Sequence, residues 1–151
     1  MYNIQHKVTP TDNKLNVKLE CERPDVEIHY TTDGTEPLAT SPLYKQELVI
    51  DKKVLLQAAT FVNGKQKGKK LILPLQRNKA TAKSLQGLPK EADILVNGVR
   101  GSLKQTDFEW FTGDASKPLS FTVDLQKTEK INECAVGCIT NYGMGVHKPR
   151  T

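Results

Sequence analysis

The sequence lacks the segments that mark membrane proteins and barrel enzymes. It contains no run of about 18 apolar residues, so it offers no candidate for a membrane-spanning helix. Its first eight residues, MYNIQHKV, lack the apolar stretch of a secretory signal peptide. It also lacks the alternation of strands and helices that builds a (β/α) barrel. We therefore predict neither a membrane span nor a complete barrel enzyme in this chain.

Residues that could carry out chemistry are few and scattered. There are three histidines: His6 is predicted in a terminal tail, His29 on the polar face of a strand, and His147 close to the last residue. None has a Ser, Cys or carboxylate neighbour in a nucleophilic motif. Asp33 and Glu36 are two nearby carboxylates, but they lie in a segment rich in Gly and Pro that selects such residues for turn geometry. We predict no catalytic residues.

The chain has little cysteine, and its spacing argues against a disulfide or a metal site. Cys134 and Cys138 lie four residues apart in a segment that is predicted to be a strand, which separates them by about 13 Å. That distance is too long for a disulfide, and no other Cys or His completes a set with ligand spacing. We predict that both, together with Cys21, are small buried apolar residues, and that no metal ligands are present.

The net charge of the chain is also small. The net charge is +5, and the two halves share it: residues 1–74 hold 11 Lys and Arg against 9 Asp and Glu, and residues 75–151 hold 11 against 8. Nucleic-acid binding requires clustered basic residues with aromatic residues between them. The even division therefore predicts no nucleic-acid partner.

The first half of the chain has the alternation of antiparallel strands. In residues 14–22 apolar and polar residues alternate strictly, which is typical of a strand with one buried face. A second strand, residues 26–30, ends at a turn in which Asp33 can cap the backbone and Gly34 supplies a positive φ. Tyr44 ends the irregular segment that follows, and its hydroxyl group can fix that segment to the core.

A hairpin completes the predicted sandwich. Asn63–Gly64 favours a type I′ turn between two strands, and the lysines of the returning strand (Lys65, Lys67, Lys69 and Lys70) indicate a sheet edge protected against aggregation. We predict an all-β immunoglobulin/fibronectin-like β-sandwich over residues 1–74. The predicted core residues are Leu15, Val17, Leu19, Ile28, Tyr30, Leu56, Ala58 and Phe61.

The same stretch resembles a known family. Its Y-T-x-D-G-x-x-P motif, followed by S-P-x-Y and A-A-T-F-V-N-G, is similar to the small β-sandwich behind the catalytic barrel of bacterial chitobiases and β-N-acetylhexosaminidases. The likeness covers residues 26–68. Any immunoglobulin-like or fibronectin-type sandwich that reuses the same turns remains the alternative.

A second resemblance begins after residue 90. The segments I-L-V-N-G-V-R-G-S, W-F-T-G and S-F-T-V-D-L resemble the front half of a discoidin-like (coagulation factor type C) module, a jelly-roll type fold. Residues 75–90 are then a linker with a weak first strand at 80–85. Residues 91–151 are a truncated module with the end of an apolar strand before the Asn97–Gly98 turn, and with strands at 120–125 and 131–139. Truncation predicts self-association, pairing with the first module, or a reduced sheet with exposed apolar residues.

These resemblances imply an accessory role. They imply a non-catalytic region of a secreted, periplasmic or cell-surface glycoside hydrolase that supports or orients its catalytic domain. They imply no cofactor, and a structural calcium near the first turn of the second module is weakened because Asn97 replaces an Asp. An extracellular adhesion or interaction sandwich unrelated to glycosidases remains open.

A carbohydrate-binding module is the other alternative. Saccharide sites stack sugar rings on exposed aromatic side chains and place planar polar groups at the ring edges. One group of residues has that composition and predicts glycan binding, with the structural role of a single Trp as the competing interpretation. Its members are Trp110, Phe108, Phe111, Arg100 and Asp107.

Overall fold

The computed structural model of the chain describes residues 1–11, 13–103, 109–114, 116–140 and 143. It is an all-β structure whose first half is built from two three-stranded antiparallel sheets. One sheet has the order β1-β2-β4 and the other the order β3-β5-β6. The strands are β1 (Ile4–Pro10), β2 (Leu15–Cys21), β3 (Glu27–Thr31), β4 (Leu48–Ile50), β5 (Val54–Val62) and β6 (Lys65–Leu75). The predicted fold class is confirmed.

The core lies between these two sheets. The alternation predicted in β2 is present, with Leu15, Val17 and Leu19 buried and their neighbours more exposed. Strand β5 contributes Leu56 and Ala58 from the opposite sheet, and both are fully buried. Of the predicted core, Tyr30 is partly buried against this cluster, and Phe61 is buried outside it. The buried cluster consists of Ile4, Leu15, Val17, Leu19, Ile28, Ile50, Val54, Leu56, Ala58, Leu73 and Leu75.

The loop after β3 covers the outer face of the second sheet. His29 lies on the face that the alternation predicts, but it is not open to solvent: His29 is 6% exposed, and its ring meets Phe61 edge-on at 5.2 Å. Its Nδ1 donates to the carbonyl oxygen of Ser41 at 2.6 Å, and its Nε2 lies 3.6 Å from a Glu27 carboxylate oxygen. Gln57 donates to the carbonyl oxygen of Gly34 at 2.6 Å from the same face. Alternation predicted the face correctly but could not show that a loop would cover it.

Tyr44 fixes the end of this loop, as predicted. Its hydroxyl oxygen accepts a hydrogen bond from the backbone N–H of Leu19 at 3.0 Å. Strand β4 pairs with β2 only along Leu15–Val17, so the N–H of Leu19 lies beyond the reach of that ladder. The tyrosine therefore supplies the acceptor that the short strand cannot, and it joins the two sheets.

Both predicted turns are present. Asn63 and Gly64 have φ values of 49° and 74°, the two positive angles that a type I′ hairpin requires. The oxygen Oδ1 of Asp33 accepts hydrogen bonds from the N–H and hydroxyl groups of Thr35 at 3.0 and 2.6 Å. These two bonds hold the pKa of the Asp33 carboxyl below its ordinary value.

The N-terminal strand was missed. Residues that looked like a tail form β1, which pairs with β2 over its whole length, from Ile4 opposite Cys21 to Pro10 opposite Leu15. His6 therefore lies in a strand. The burial of this edge strand alternates along its length, with Ile4 buried, His6 and Val8 half-buried, and the residues between them exposed.

The second half is less regular. A 3-10 helix runs over Lys90–Val96, and β7 (Ser84–Gln86) pairs with β8 (Thr122–Asp124). The strand predicted for residues 120–125 is confirmed in shortened form. The apolar strand end predicted before the Asn97–Gly98 turn is wrong, because residues 94–96 complete the 3-10 helix.

Residues 131–140 form no strand, although 131–139 were predicted as one. Cys134 and Cys138 are exposed and Cys21 is half-buried, so the prediction that all three are buried is wrong. For residues 131–140, which include Cys134 and Cys138, the described part of the chain supplies no strand that pairs with the segment and covers it, whereas Cys21 lies on β2 opposite Ile4 of the edge strand β1. Ile131 and Val136 are 57% and 61% exposed.

Candidate functional site

Residues 97–103 and 109–111 meet the first sandwich at one end, and we call this contact the joint. It contains Arg100, Trp110 and Phe111 of the predicted glycan-binding group. Strand β6 continues into it. The N–H of Gln76 donates to the carbonyl oxygen of Gly98 at 2.8 Å, and the N–H of Arg100 donates to that of Pro74 at 3.1 Å. Between these two bonds Leu75 and Val99 form an antiparallel bridge. The second half of the chain is thus paired directly with the last strand of the sandwich.

Gly98 is required where the turn touches the core. Its φ is +82°, and a Cβ atom there would lie 2.9 Å from Leu15 Cδ2 and 3.0 Å from Leu15 Cδ1. Leu15 is fully buried and has no space to move away. The Asn97–Gly98 turn therefore packs directly against the core at the end of the sandwich.

Glu109 connects three parts of the chain. One carboxylate oxygen lies 2.7 Å from Nε2 of His6 on β1, and the other accepts a hydrogen bond from the side-chain amide of Asn97 at 2.7 Å. The side chains of His6 and Glu109 are only 11% and 7% exposed. The sequence does not predict this contact, because the prediction of a terminal tail at His6 gives that residue no partner.

Asn97 uses both ends of its side chain. Its amide group donates to Glu109, and its carbonyl oxygen accepts a hydrogen bond from the N–H of Val99 at 2.8 Å. The oxygen that could have served a calcium ion is therefore engaged by the backbone of its own turn. Among the residues that the structure describes, no group of three or more His, Cys, Asp or Glu side chains could hold a metal ion.

The indole ring of Trp110 packs against Gly101, and the residue is half-buried. A Cβ atom on Gly101 would come within 2.6 Å of the indole ring, so only a glycine permits this contact. The indole N–H donates to the carbonyl oxygen of Ser102 at 2.8 Å. Phe111 is half-buried and Arg100 is exposed. Phe108 and Asp107, the other members of the predicted glycan-binding group, lie outside the described residues.

The remaining candidate groups have structural partners. Glu36 forms an exposed ion pair with Lys70 at 3.2 Å, while Asp33 caps its own turn. Two open clefts occur elsewhere, one beside Cys21 and Arg23 and one along β4, and neither is lined by His6, Asn97 or Glu109. His147 lies outside the described residues. The joint is therefore a buried polar contact between two parts of the chain.

No helix in the described ranges is long and apolar enough to cross a membrane.

Comparison with known proteins finds a family model that matches the sequence of the first sandwich. Residues 9–71 match the family model described as "Chitobiase/beta-hexosaminidase C-terminal domain". The match begins at the end of β1 and ends within β6, so it coincides with the two facing sheets and stops before the joint. No curated protein matches the chain. The match supports a chitobiase/hexosaminidase C-terminal domain in the first half of this chain.

Proposed function

We propose that this chain is a non-catalytic accessory region of a secreted, periplasmic or cell-surface β-N-acetylhexosaminidase, in which it supports or orients the catalytic domain. The observation that carries the proposal is the family match over residues 9–71 and its coincidence with the closed sandwich. A domain of this family is part of a larger glycoside hydrolase, so its natural partner is the catalytic domain of that enzyme.

The packing of the first half is consistent with a rigid supporting domain. Two sheets enclose one continuous apolar core, and the loop after β3 is tied down at both ends by Asp33 and Tyr44. Close-packed cores of this kind transmit strain and resist deformation. A compact domain next to a barrel can hold that barrel at a fixed angle to whatever follows in the chain.

The joint extends this rigidity into the second half. The backbone pairing of Pro74 and Gln76 with residues 98–100 and the contact of His6 with Glu109 oppose hinge motion there. We propose residues 1–74 as the hexosaminidase-type sandwich, 75–90 as the connection, and 91–151 as a discoidin-like module held by this joint.

An activity assay tests the absence of catalysis. Incubating the intact chain with a chromogenic N-acetyl-β-glucosaminide should release product at the rate of buffer alone. Glu109 and Glu36 are the carboxylates to replace, the first because it is buried beside a histidine and the second because it lies near Asp33. Hydrolysis well above buffer that is lost in Glu109→Gln or Glu36→Gln would overturn the proposal.

A binding assay tests the supporting role. Adding the intact chain to a hexosaminidase catalytic domain that lacks its own C-terminal sandwich should raise the thermal midpoint of that domain and leave kcat unchanged. Binding of neutral glycans by the chain alone, abolished by Trp110→Ala with the fold retained, would instead favour a carbohydrate-binding module.

A further inference from the structure

The positive charge of the chain is concentrated in one hairpin. The sequence holds 22 Lys and Arg against 17 Asp and Glu, and four of these lysines fall within residues 65–70. Without those four the chain carries 18 basic and 17 acidic residues, which is close to neutrality. The net charges of the two halves of the sequence are similar, so those totals do not show this concentration. Residues 63–70 contain no Asp or Glu.

The fold presents these lysines at an open edge. Strand β6 is the outer strand of its sheet, and residues 63–70 are all exposed. At Gly68, where φ is +69°, the pairing slips between Thr60 opposite Lys67 and Ala58 opposite Leu71. A bulge of this kind twists the edge away from its sheet, so the ammonium groups project into solvent along a bent edge.

Three of the four lysines have no charged partner among the residues that the structure describes. Lys70 forms an ion pair with Glu36, whereas Lys65, Lys67 and Lys69 form no ion pair with any described residue. Lysines on an edge strand also protect a sheet against aggregation. Four charges of the same sign in six residues nevertheless repel one another, and a bound anion would relieve the repulsion among the three that lack an ion pair.

We propose that the residue 63–70 hairpin is a binding surface for an anionic polysaccharide. A lysine ammonium is a compact, hydrated point charge suited to ion exchange with carboxylate or sulfate groups. Lys65 and Lys67 are alternate residues of the strand and lie roughly 6.6 Å apart, and Lys69 and Lys70 follow beyond the bulge, so the charges are spread along an edge and not gathered in one cavity. A linear polymer with many negative groups can follow such an edge.

The composition of the hairpin argues against other polyanions. Single-stranded nucleic acids are held by aromatic side chains on which the bases stack, and residues 63–70 contain none. Surfaces that insert into anionic membranes combine basic residues with apolar ones, and this segment has none of those either. The surface belongs to the sandwich itself, so the inference stands whether or not the parent enzyme is a hexosaminidase.

The test compares two triple variants of equal charge. Lys65, Lys67 and Lys69 are changed to Gln in one variant, which keeps the Lys70–Glu36 pair. Lys52, Lys53 and Lys90, which are exposed and have no ion pair with the described residues, are changed to Gln in the other. Circular dichroism and thermal midpoints should show that both variants fold like the parent chain.

Binding is measured to dextran sulfate and heparin, with neutral dextran as the blank, over a range of salt concentrations. The hairpin variant should lose affinity by about tenfold or more at low salt and reduce the slope of log K against log salt by about 2, whereas the control variant should change affinity by less than about twofold. Equal losses in the two variants would overturn the proposal. So would tighter binding to single-stranded RNA or to phosphatidylserine vesicles that only the hairpin variant loses.

Discussion

Both halves of this chain contain apolar, β-branched segments typical of strands, but only the first half forms two facing sheets. In residues 4–75 each apolar strand has a partner on at least one side and a facing sheet, and eleven side chains form one buried cluster. In the described residues of 76–140, two strands of three residues pair only with each other, and Ile131 and Val136 remain exposed. An apolar, β-branched pattern therefore gives a buried strand only where the fold supplies a neighbour.

The largest expected difference comes from removing a buried side chain. Leu15→Ala should lower the free energy of unfolding by about 3–4 kcal/mol, because Leu15 is fully buried between the sheets and contacts the joint. Val136→Ala should change it by less than about 0.5 kcal/mol. Urea denaturation followed by circular dichroism measures both. Similar losses would mean that residues 131–140 are packed as tightly as β2.

A smaller effect is expected at the turn that seals the sandwich. Gly98→Ala should destabilise the protein by about 2–3 kcal/mol, because it combines a positive φ with a contact to an immobile leucine. Gly64→Ala is the matched control: its φ is +74° and no atom lies within 4 Å of the added Cβ, so about 1 kcal/mol is expected. Equal losses would show that the joint contact does not constrain the core.

The His6–Glu109 contact should couple the two halves energetically. A double-mutant cycle with His6→Ala and Glu109→Gln should give a coupling of about 1–2 kcal/mol, since both side chains are nearly buried and 2.7 Å apart. The exposed pair Lys18–Glu20, replaced in the same way, should show no measurable coupling. Coupling that is absent at His6–Glu109 would mean that the halves move independently.

Much of the first half could be predicted from sequence because its signals are local. The alternation of Leu15, Val17 and Leu19, the Asn63–Gly64 turn and the polar tip of Tyr44 each point to one structure. The joint could not be predicted in this way. Glu109 and His6 are 103 residues apart, and nothing in either segment specifies the other.

The covering of His29 was missed for the same reason. Its own strand is polar on that face, and burial comes from a loop whose path depends on Pro37 and Tyr44. The prediction for residues 131–139 was wrong in the opposite sense, because it expected burial that is not found. The local pattern of a strand is present, but in the described residues no partner strand lies beside it.

Tyr44 offers a smaller test of how the loop is held. Tyr44→Phe removes the acceptor for the N–H of Leu19 and should destabilise the protein by about 1 kcal/mol. Tyr30→Phe should have a smaller effect, because the hydroxyl of Tyr30 forms no hydrogen bond with any described residue. Thermal unfolding of the two variants side by side measures the difference, and equal shifts in midpoint would remove the role assigned to the Tyr44 hydroxyl.

The smallest effect concerns the ion pairs of the second half. Lys79 and Lys127 lower the pKa of Glu129 from 4.5 to about 2 through hydrogen bonds and charge. Because the folded pKa is depressed, this stabilisation is present above about pH 4.5 and is lost as the pH falls towards 2. The parent chain should therefore be more stable than Glu129→Gln above about pH 4.5, and this difference should disappear as the pH is lowered towards 2. A difference that stays constant down to pH 2 would contradict the ion pairs.

Hydrogen exchange of the intact chain tests the contrast between the halves most directly. Amide protons of β2 and β5 should exchange slowest, those of residues 98–100 at intermediate rates, and those of residues 131–140 close to the rate of an unstructured peptide. Protection of residues 131–140 equal to that of β5 in a monomeric sample would contradict the account, because it would require a covering partner that the described structure does not contain.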